Sequence, residues 1–253
     1  MTEARGRPTD AWLRVLSLLG CLVVWQLIAQ TGQLPLLPTP AVVLASLWRH
    51  ITIGELPRHL LITLGRVAAA FVIAMGIGSG LGILMGRRRW VDASLDGLLV
   101  LALNIPALVT AILCYIWLGL TELAAVTAVA LNKIPTVVVT VREGARAVDQ
   151  GLLDVATVFR VPRGRRFTLV YLPQLYPYLM AAARSGLALI WKIVLVVELL
   201  GRSNGIGFQL GTYFQFFDIT SILAYTLAFA AAVLVIEGVA LRPLERWLTR
   251  WRA

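Results

Sequence analysis

The sequence predicts an all-α integral membrane protein. Three observations carry this: an apolar surplus, six long apolar stretches, and basic residues gathered on one side. Of the 253 residues, 59% are hydrophobic and only 14% charged, against roughly 45–50% apolar and about 25% charged in soluble domains. A soluble domain of this length still exposes about a quarter of its unfolded surface, so the surplus needs lipid as its solvent. That excludes an ordinary soluble enzyme, a disordered chain and a secreted disulfide scaffold. Cys21 and Cys114 lie within apolar runs with no His or Cys at ligand spacing, so neither a disulfide nor a metal site is expected.

A helix crossing a bilayer needs roughly 20 apolar residues, because every backbone group must be satisfied within the segment. Six stretches qualify: residues 12–29, 66–86, 98–118, 123–141 (carrying Lys133), 178–200 (carrying Arg184, Lys192 and Glu198) and 219–241 (carrying Glu237). The first follows Arg5, Arg7 and Arg14 as a signal peptide would. Leu27-Ile28-Ala29-Gln30 offers no small-x-small cleavage site, so it reads as an anchor. With the N-terminus in the cytoplasm, sixteen of the 23 basic residues fall inside, in segments 5–14, 87–89, 142–166 and 242–252. Only Arg49, Arg58 and Arg202 fall outside, and four lie in or beside the spans. The net charge of +10 is therefore a topology signal. Both termini are expected in the cytoplasm, and no nucleic-acid partner is expected.

The connections leave no room for a soluble domain, so residues 1–253 read as a single transmembrane domain. The outer connection, residues 30–60, has turn-forming Pro35, Pro38 and Pro40. A short helix over 41–51 follows, with Leu44, Leu47, Trp48 and Ile51 on one side, fit to lie along the membrane surface. In the second span Ala70, Ala74, Gly78, Gly82 and Gly86 recur every four residues, a stripe that admits close approach of another helix. The glycines there have no G-x-G-x-x-G register and follow no strand, so nucleotide binding is not indicated. In the cytoplasmic connection, residues 142–176, Asp149 is placed to cap a helix over 150–160 that Pro162 ends. Leu152, Val155, Ala156 and Phe159 make one apolar face, and Arg160, Arg163, Arg165 and Arg166 cluster after it. Such a helix either lies on anionic lipid or docks into another protein's groove.

Catalytic chemistry is missing. Neither Lys133 nor Lys192 follows a glycine, so no phosphate-cradling loop exists. His50 and His59 fit no H-E-x-x-H helix, and no G-x-S-x-G elbow occurs. No cofactor is expected. Ionisable groups within spans each cost about 2.5–3.5 kcal/mol near a helix centre, which singles out Lys133. It lies about 16 Å from the outer end of its helix, and Pro135 frees the carbonyl of Leu131 nearby. Lys133 either faces a water-filled path for an anionic solute or bonds to loosened carbonyls or a neighbouring acid. Lys192 and Glu198 are read as interfacial anchors and Glu237 as an end-of-helix charge. Asn104 with Pro106 marks a kink.

The stretch Gly151 to Pro173, GLLDVATVFRVPRGRRFTLVYLP, resembles the cytoplasmic EAA loop of ABC importer permease subunits. Asp154, Val155 and Ala156 occupy the E-A-A positions, and Val170, Leu172 and Pro173 close the motif. Asp154 replaces the usual Glu, and Arg160 stands where glycine is usual. Residues 37–86 are similar to the sulfonate/nitrate/taurine branch, with Pro38, Pro40, Gly54, His59, Arg66, Gly82 and Gly86 in the branch's positions. ELLGRSNGIG, beginning at Glu198, fits as well. The resemblance implies a type I ABC importer permease fold and a homodimeric pore in the bacterial inner membrane. It also implies cytoplasmic ATPase subunits, an extracytoplasmic solute-binding protein, and a small anionic solute such as a sulfonate, nitrate or taurine. It makes the helix over 150–160 the ATPase-coupling helix, with Leu152, Val155, Ala156 and Phe159 in contact, Asp154 and Arg163 as polar partners and Arg160 at its end. Lys133, Asn104 and Lys192 are the translocation-path candidates. An ion-coupled secondary transporter would need its own ion site and usually more spans or inverted repeats. A membrane-embedded enzyme lacks its catalytic groups.

Overall fold

The computed structural model describes residues 8–31, 36–241 and 243, and every regular element among them is helical. Pro35 and the basic residues Arg5, Arg7, Arg242, Arg246, Arg250 and Arg252 lie outside the described residues. Helix α1 (Pro8–Gln30) is tied to the next segment by Trp25, whose Nε1–H donates to the carbonyl of Pro38 at 3.1 Å. Helix α2 (Pro40–Thr52) starts on a proline, whose missing N–H costs nothing at a first turn. It buries Val43 and Ser46 and leaves Leu44, Trp48 and Ile51 exposed; Leu47 turns partly into the core.

Helix α3 (Leu56–Arg87) begins ten residues before the expected second span. Its stripe faces α6 (Glu122–Arg146), whose Thr121 side chain caps it by accepting from Ala124 N–H. A Cβ on Gly78 would sit 2.7 Å from Cβ of Val137, one on Gly82 2.8 Å from Cβ of Val141, and one on Gly86 2.5 Å from Cβ of Ala145. Glycine is required at each because the two backbones have closed to within a side chain's thickness. Ala70 and Ala74 continue the same face and are fully buried. Gly76 and Gly80, off this face, have open space around them.

The expected third span, 98–118, is not one helix. Helices α4 (Arg89–Asn104) and α5 (Ala107–Leu118) meet at a 98° bend. Pro106 forces its predecessor out of the helical region, and Ile105 sits at φ −73°, ψ 122°. What reads in one dimension as a kink is a break, so the pair forms either a broken span or a re-entrant loop.

Beyond α6, α7 (Gln150–Val158) is followed by α8 (Arg163–Arg166), a π-helical turn (Phe167–Tyr171) and α9 (Leu172–Gly201). The last three run on as one helical stretch, Arg163–Gly201. The fifth span therefore reaches fifteen residues further back than expected, into the stretch read as connection. Helix α10 (Ile206–Gln215) and α11 (Ile219–Ile236) complete the fold, α11 being capped by Asp218, which accepts from Ser221 N–H at 3.0 Å.

Four stretches are long and apolar enough to cross a membrane: Leu56–Arg87, Glu122–Arg146, Arg163–Gly201 and Ile219–Val239. The bent pair makes a possible fifth. In α1 only Leu19–Gln30 counts as an apolar helix among the described residues. Among the described residues four stretches, or five with the bent pair, thus have the length and hydropathy of a span. At the centre, α6 packs between α3 and α9, with Ala128, Val129, Ile190, Val194 and Tyr225 in the main core.

Candidate functional site

At the end of the bundle where α6 gives way to α7, Asp149 caps α7 by accepting from Gly151 N–H at 2.8 Å. The Asp149 N–H in turn donates to Gln174 Oε1 of α9 at 2.9 Å, fixing the start of α7 to the long helix. Helix α7 stops two residues earlier than expected, in a Schellman turn. Val161 N–H donates to Ala156 O and Arg160 N–H to Thr157 O, both at 2.9 Å. Arg160 takes the left-handed conformation that this turn demands, at φ 53°. The glycine usual at this position in EAA loops thus has a physical reason, and Arg160 departs from it at a cost in backbone strain.

The two sides of α7 differ. Leu152, Val155, Val158 and Phe159 are exposed, the last two at 79% and 78%. Ala156, expected on this face, instead turns inward and is buried; Leu153 packs beside a cluster of Ala145, Val148, Tyr171 and Leu175. The helical period places 152, 155 and 159 on one flank, and 156 falls between that flank and the core. Val158 joins the outward face in its stead. Asp154 and Arg163 are exposed but line a cleft on the other flank of α7.

At the opposite end, sequence reasoning missed a buried ionic cluster. Glu198, read as an interfacial anchor, is 0% exposed. Arg66 Nη1 donates to Glu198 Oε1 at 2.6 Å and to the carbonyl of Asn204 at 2.9 Å. Its Nε and Nη2 grip Glu122 at 2.7 and 2.6 Å, and Nη2 also meets Asn204 Oδ1. Glu198 accepts further bonds from Gly207 N–H at 2.8 Å and the Thr63 hydroxyl at 2.9 Å. That hydroxyl accepts from Ile206 N–H at 2.8 Å, and His59 Nδ1 accepts from Gly205 N–H at 2.9 Å. Arg202 adds a bond to Glu122 at 2.5 Å. This latch joins α3, α6, α9 and the start of α10. The one signal for it in the sequence is an acid inside an apolar run, Glu198, matched by a basic residue at a similar depth, Arg66. Beside it in α2, burial and then the neighbouring Arg49 charge hold His50 below the usual imidazole range. The ring sits 3.1 Å from the Ser221 hydroxyl.

The three translocation-path candidates are not gathered. Lys133 is 2% exposed in α6, and its Nζ has no ion pair or hydrogen bond among the described residues. Its chain lies on Gly186 of α9, where a Cβ would come within 3.0 Å of Lys133 Cε. The carbonyl and acid partners considered for it are not in place. Lys192 is exposed and lines a different cleft between α9 and α11, with Arg184, Trp191, Phe229 and Glu237. Asn104 is exposed at the α4–α5 bend and donates to Val100 O at 2.8 Å. Among the described residues no three His, Cys, Asp or Glu side chains gather as a metal would require.

A family model described as "Binding-protein-dependent transport system inner membrane component" matches residues 78–242, which contain α7, its Schellman turn and the long α9. The chain belongs to this family. The permease is 30% identical to a Bacillus subtilis (strain 168) protein named for aliphatic sulfonates transport, over 98% of the chain and 90% of that protein. It is 30% identical to the taurine transport system permease protein TauC of Escherichia coli (strain K12), over 91% and 86%. It is 26% identical to the bicarbonate transport system permease protein CmpB of Synechococcus elongatus, over 94% and 88%. Its fold matches a chain of the inward-facing MetNI methionine ABC transporter with a TM-score of 0.66. That match covers 78% of this chain and 97% of the other at 17% identity. The permease is a multi-pass inner-membrane subunit of an ABC importer and not an enzyme, and its family works with an ATPase and a binding protein.

Proposed function

We propose that the permease forms, as a homodimer, the channel for a small anionic solute of the sulfonate, nitrate or taurine kind, and that α7 receives the stroke of a cytoplasmic ATPase. The observation that carries this is the uncovered apolar flank of α7. Leu152, Val155, Val158 and Phe159 project from the end of a helix bundle next to six arginines in segments 87–89 and 163–166. An apolar helix flank held by a cap at one end and a Schellman turn at the other suits a groove in a partner. Asp154, Arg160 and Arg163 supply polar groups around it.

In this reading the α7 end and both termini are cytoplasmic, as the distribution of arginines supports. The Arg66–Glu198 latch then lies at the outer end, and the whole chain acts as one transmembrane domain among lipids. ATP binding would favour one of two arrangements of the dimer, and differential affinity for the two is what drives alternating access. Lys133, Lys192 and Asn104 are the path candidates, with Lys133 best suited to attract an anion because no acid among the described residues neutralises it.

The test is co-purification with the ATPase and solute-stimulated ATP hydrolysis of the reconstituted complex over a panel of anions. Phe159→Asp with Val155→Asp should abolish both while leaving the thermal unfolding of the permease unchanged, since both side chains are exposed. Retained association would refute α7 as the docking element. Solute transport by the permease alone, without ATP, would refute the ATP-driven reading.

A further inference from the structure

We infer that the cleft between α7, α8 and the end of α3 is a binding site for a phosphate group, of the kind borne by an anionic phospholipid or by free inorganic phosphate. The cleft holds about 720 Å³ and is lined by Arg87 from α3, Asp154 and Thr157 from α7, Arg163 and Arg166 from α8, and Tyr171. Three guanidiniums face one carboxylate there. Arginine's planar fork of donors matches phosphate oxygens two at a time.

Two arginines at this end of the bundle, both outside the cleft, have acidic partners. Arg142 pairs with Asp96 at 2.6 Å and with Asp92 at 3.3 Å, and Arg146 pairs with Asp92 and with Glu143 at 3.0 Å. The cleft arginines do not. Arg87 lies over the Tyr171 ring, 5.0 Å from its centroid, and Arg166 donates to the Thr157 hydroxyl. Neither makes an ion pair among the described residues, nor does Arg163, and Asp154 stays unpaired beside them. The charges of the cleft are therefore left unpaired among the described residues.

A second observation points the same way. Tyr171 is 4% exposed, stacked on Phe167, and its hydroxyl is shielded from solvent with no hydrogen-bond partner among the described residues. A buried hydroxyl without a partner costs about 1–3 kcal/mol, and an anion in the cleft would accept a hydrogen bond from it. The neighbouring residues suit a lipid: Leu169 is exposed on the π turn, and the apolar span of α3 ends at Arg87. The cleft lies on the flank of α7 opposite Leu152, Val155 and Phe159, so a bound anion would leave that apolar docking face uncovered. A bound phosphate would bridge α3, α7 and α8 and steady α7 where the ATPase is proposed to dock, although the site itself does not depend on that docking.

The full-length permease in phosphatidylcholine nanodiscs is titrated with phosphatidylglycerol or with inorganic phosphate. Binding is read by lipid retention in native mass spectrometry and by the rise in Tm. Arg87→Gln with Arg163→Gln should weaken binding about twenty-five-fold, roughly fivefold per guanidinium. Arg165→Gln, exposed but outside the cleft, should bind as the native protein does. Tyr171→Phe, which keeps the packing and removes only the hydroxyl, should weaken binding by about fivefold and carries the test if the double variant misfolds. Phosphatidylglycerol acting alone identifies a lipid site, and phosphate acting equally well a soluble-anion site. Equal loss in Arg165→Gln would mean a diffuse surface charge and overturn the inference. So would unchanged binding in both cleft variants, or protection that arises only when the ATPase subunit is added.

Discussion

Replacing Glu198 by Met removes the fully buried member of the Arg66 latch while nearly preserving its volume. Three groups lose an acceptor together, Arg66 Nη1, Gly207 N–H and the Thr63 hydroxyl, although Arg66 Nη1 keeps the Asn204 carbonyl and Thr63 the His59 carbonyl. Arg66 keeps Glu122, but that carboxylate is half exposed, so the buried guanidinium is only partly compensated. Breaking one member of a buried pair costs about 3–5 kcal/mol. By the scaling of soluble proteins of this size, that lowers Tm by on the order of 10 °C. Replacing Arg66 by Met as well removes the stranded charge. What then remains is the orphaned Gly207 N–H, worth about 1–3 kcal/mol, together with Glu122, which keeps Arg202 and solvent, and the partly buried Asn204 carbonyl, so the double variant should be more stable than Glu198→Met alone. The assay is thermal unfolding of the purified permease in detergent, followed by tryptophan fluorescence, as a double-mutant cycle. A Glu198→Met variant within about 0.5 kcal/mol of the native protein, or a double variant whose losses simply add, would refute the latch.

Further predictions rest on separate features. Arg160→Gly should stabilise the end of α7 by about 0.5–1 kcal/mol, because glycine accepts φ near 53° without strain; amide exchange at Val161 should slow, and faster exchange would count against the Schellman turn. Gly82→Ala should cost about 1–3 kcal/mol, since its Cβ would meet Val138 O at 2.9 Å, whereas Gly80→Ala should gain about 0.5–1 kcal/mol from helix propensity. Equal effects in thermal unfolding would contradict the α3–α6 contact. Lys133→Gln should lower solute uptake in proteoliposomes while leaving assembly intact, and unchanged uptake would make Lys133 a structural residue only.

Features encoded within one segment were legible in the sequence. Asp149 and Pro162 bracket α7 because caps and proline act on their immediate neighbours, and the Ala70-to-Gly86 stripe reads directly from its four-residue spacing. Features that need two segments were not. Glu198 looked like an anchor because its partner Arg66 lies 132 residues upstream, and helical spacing within one span says nothing about what another brings to it. The inward turn of Ala156 is of the same kind, since nothing within α7 itself separates it from Leu152 and Val155. At Pro106 the sequence announced a disturbance but not its angle. The joining of α8 to α9 was hidden for a different reason: a π-helical turn has no simple residue signature, and Pro162 suggested a connection.

The uninterrupted helical stretch from Arg163 to Gly201 has a mechanical consequence. At 1.5 Å per residue, its 39 residues make a lever about 58 Å long, carrying the α7 attachment near its start and Glu198 three residues from its tip. A stiff rod cannot be displaced at one extremity and remain still at the other. A shove delivered below would therefore arrive above as torque on the Arg66 clasp, unless the wider turn at Phe167–Tyr171 takes up the slack.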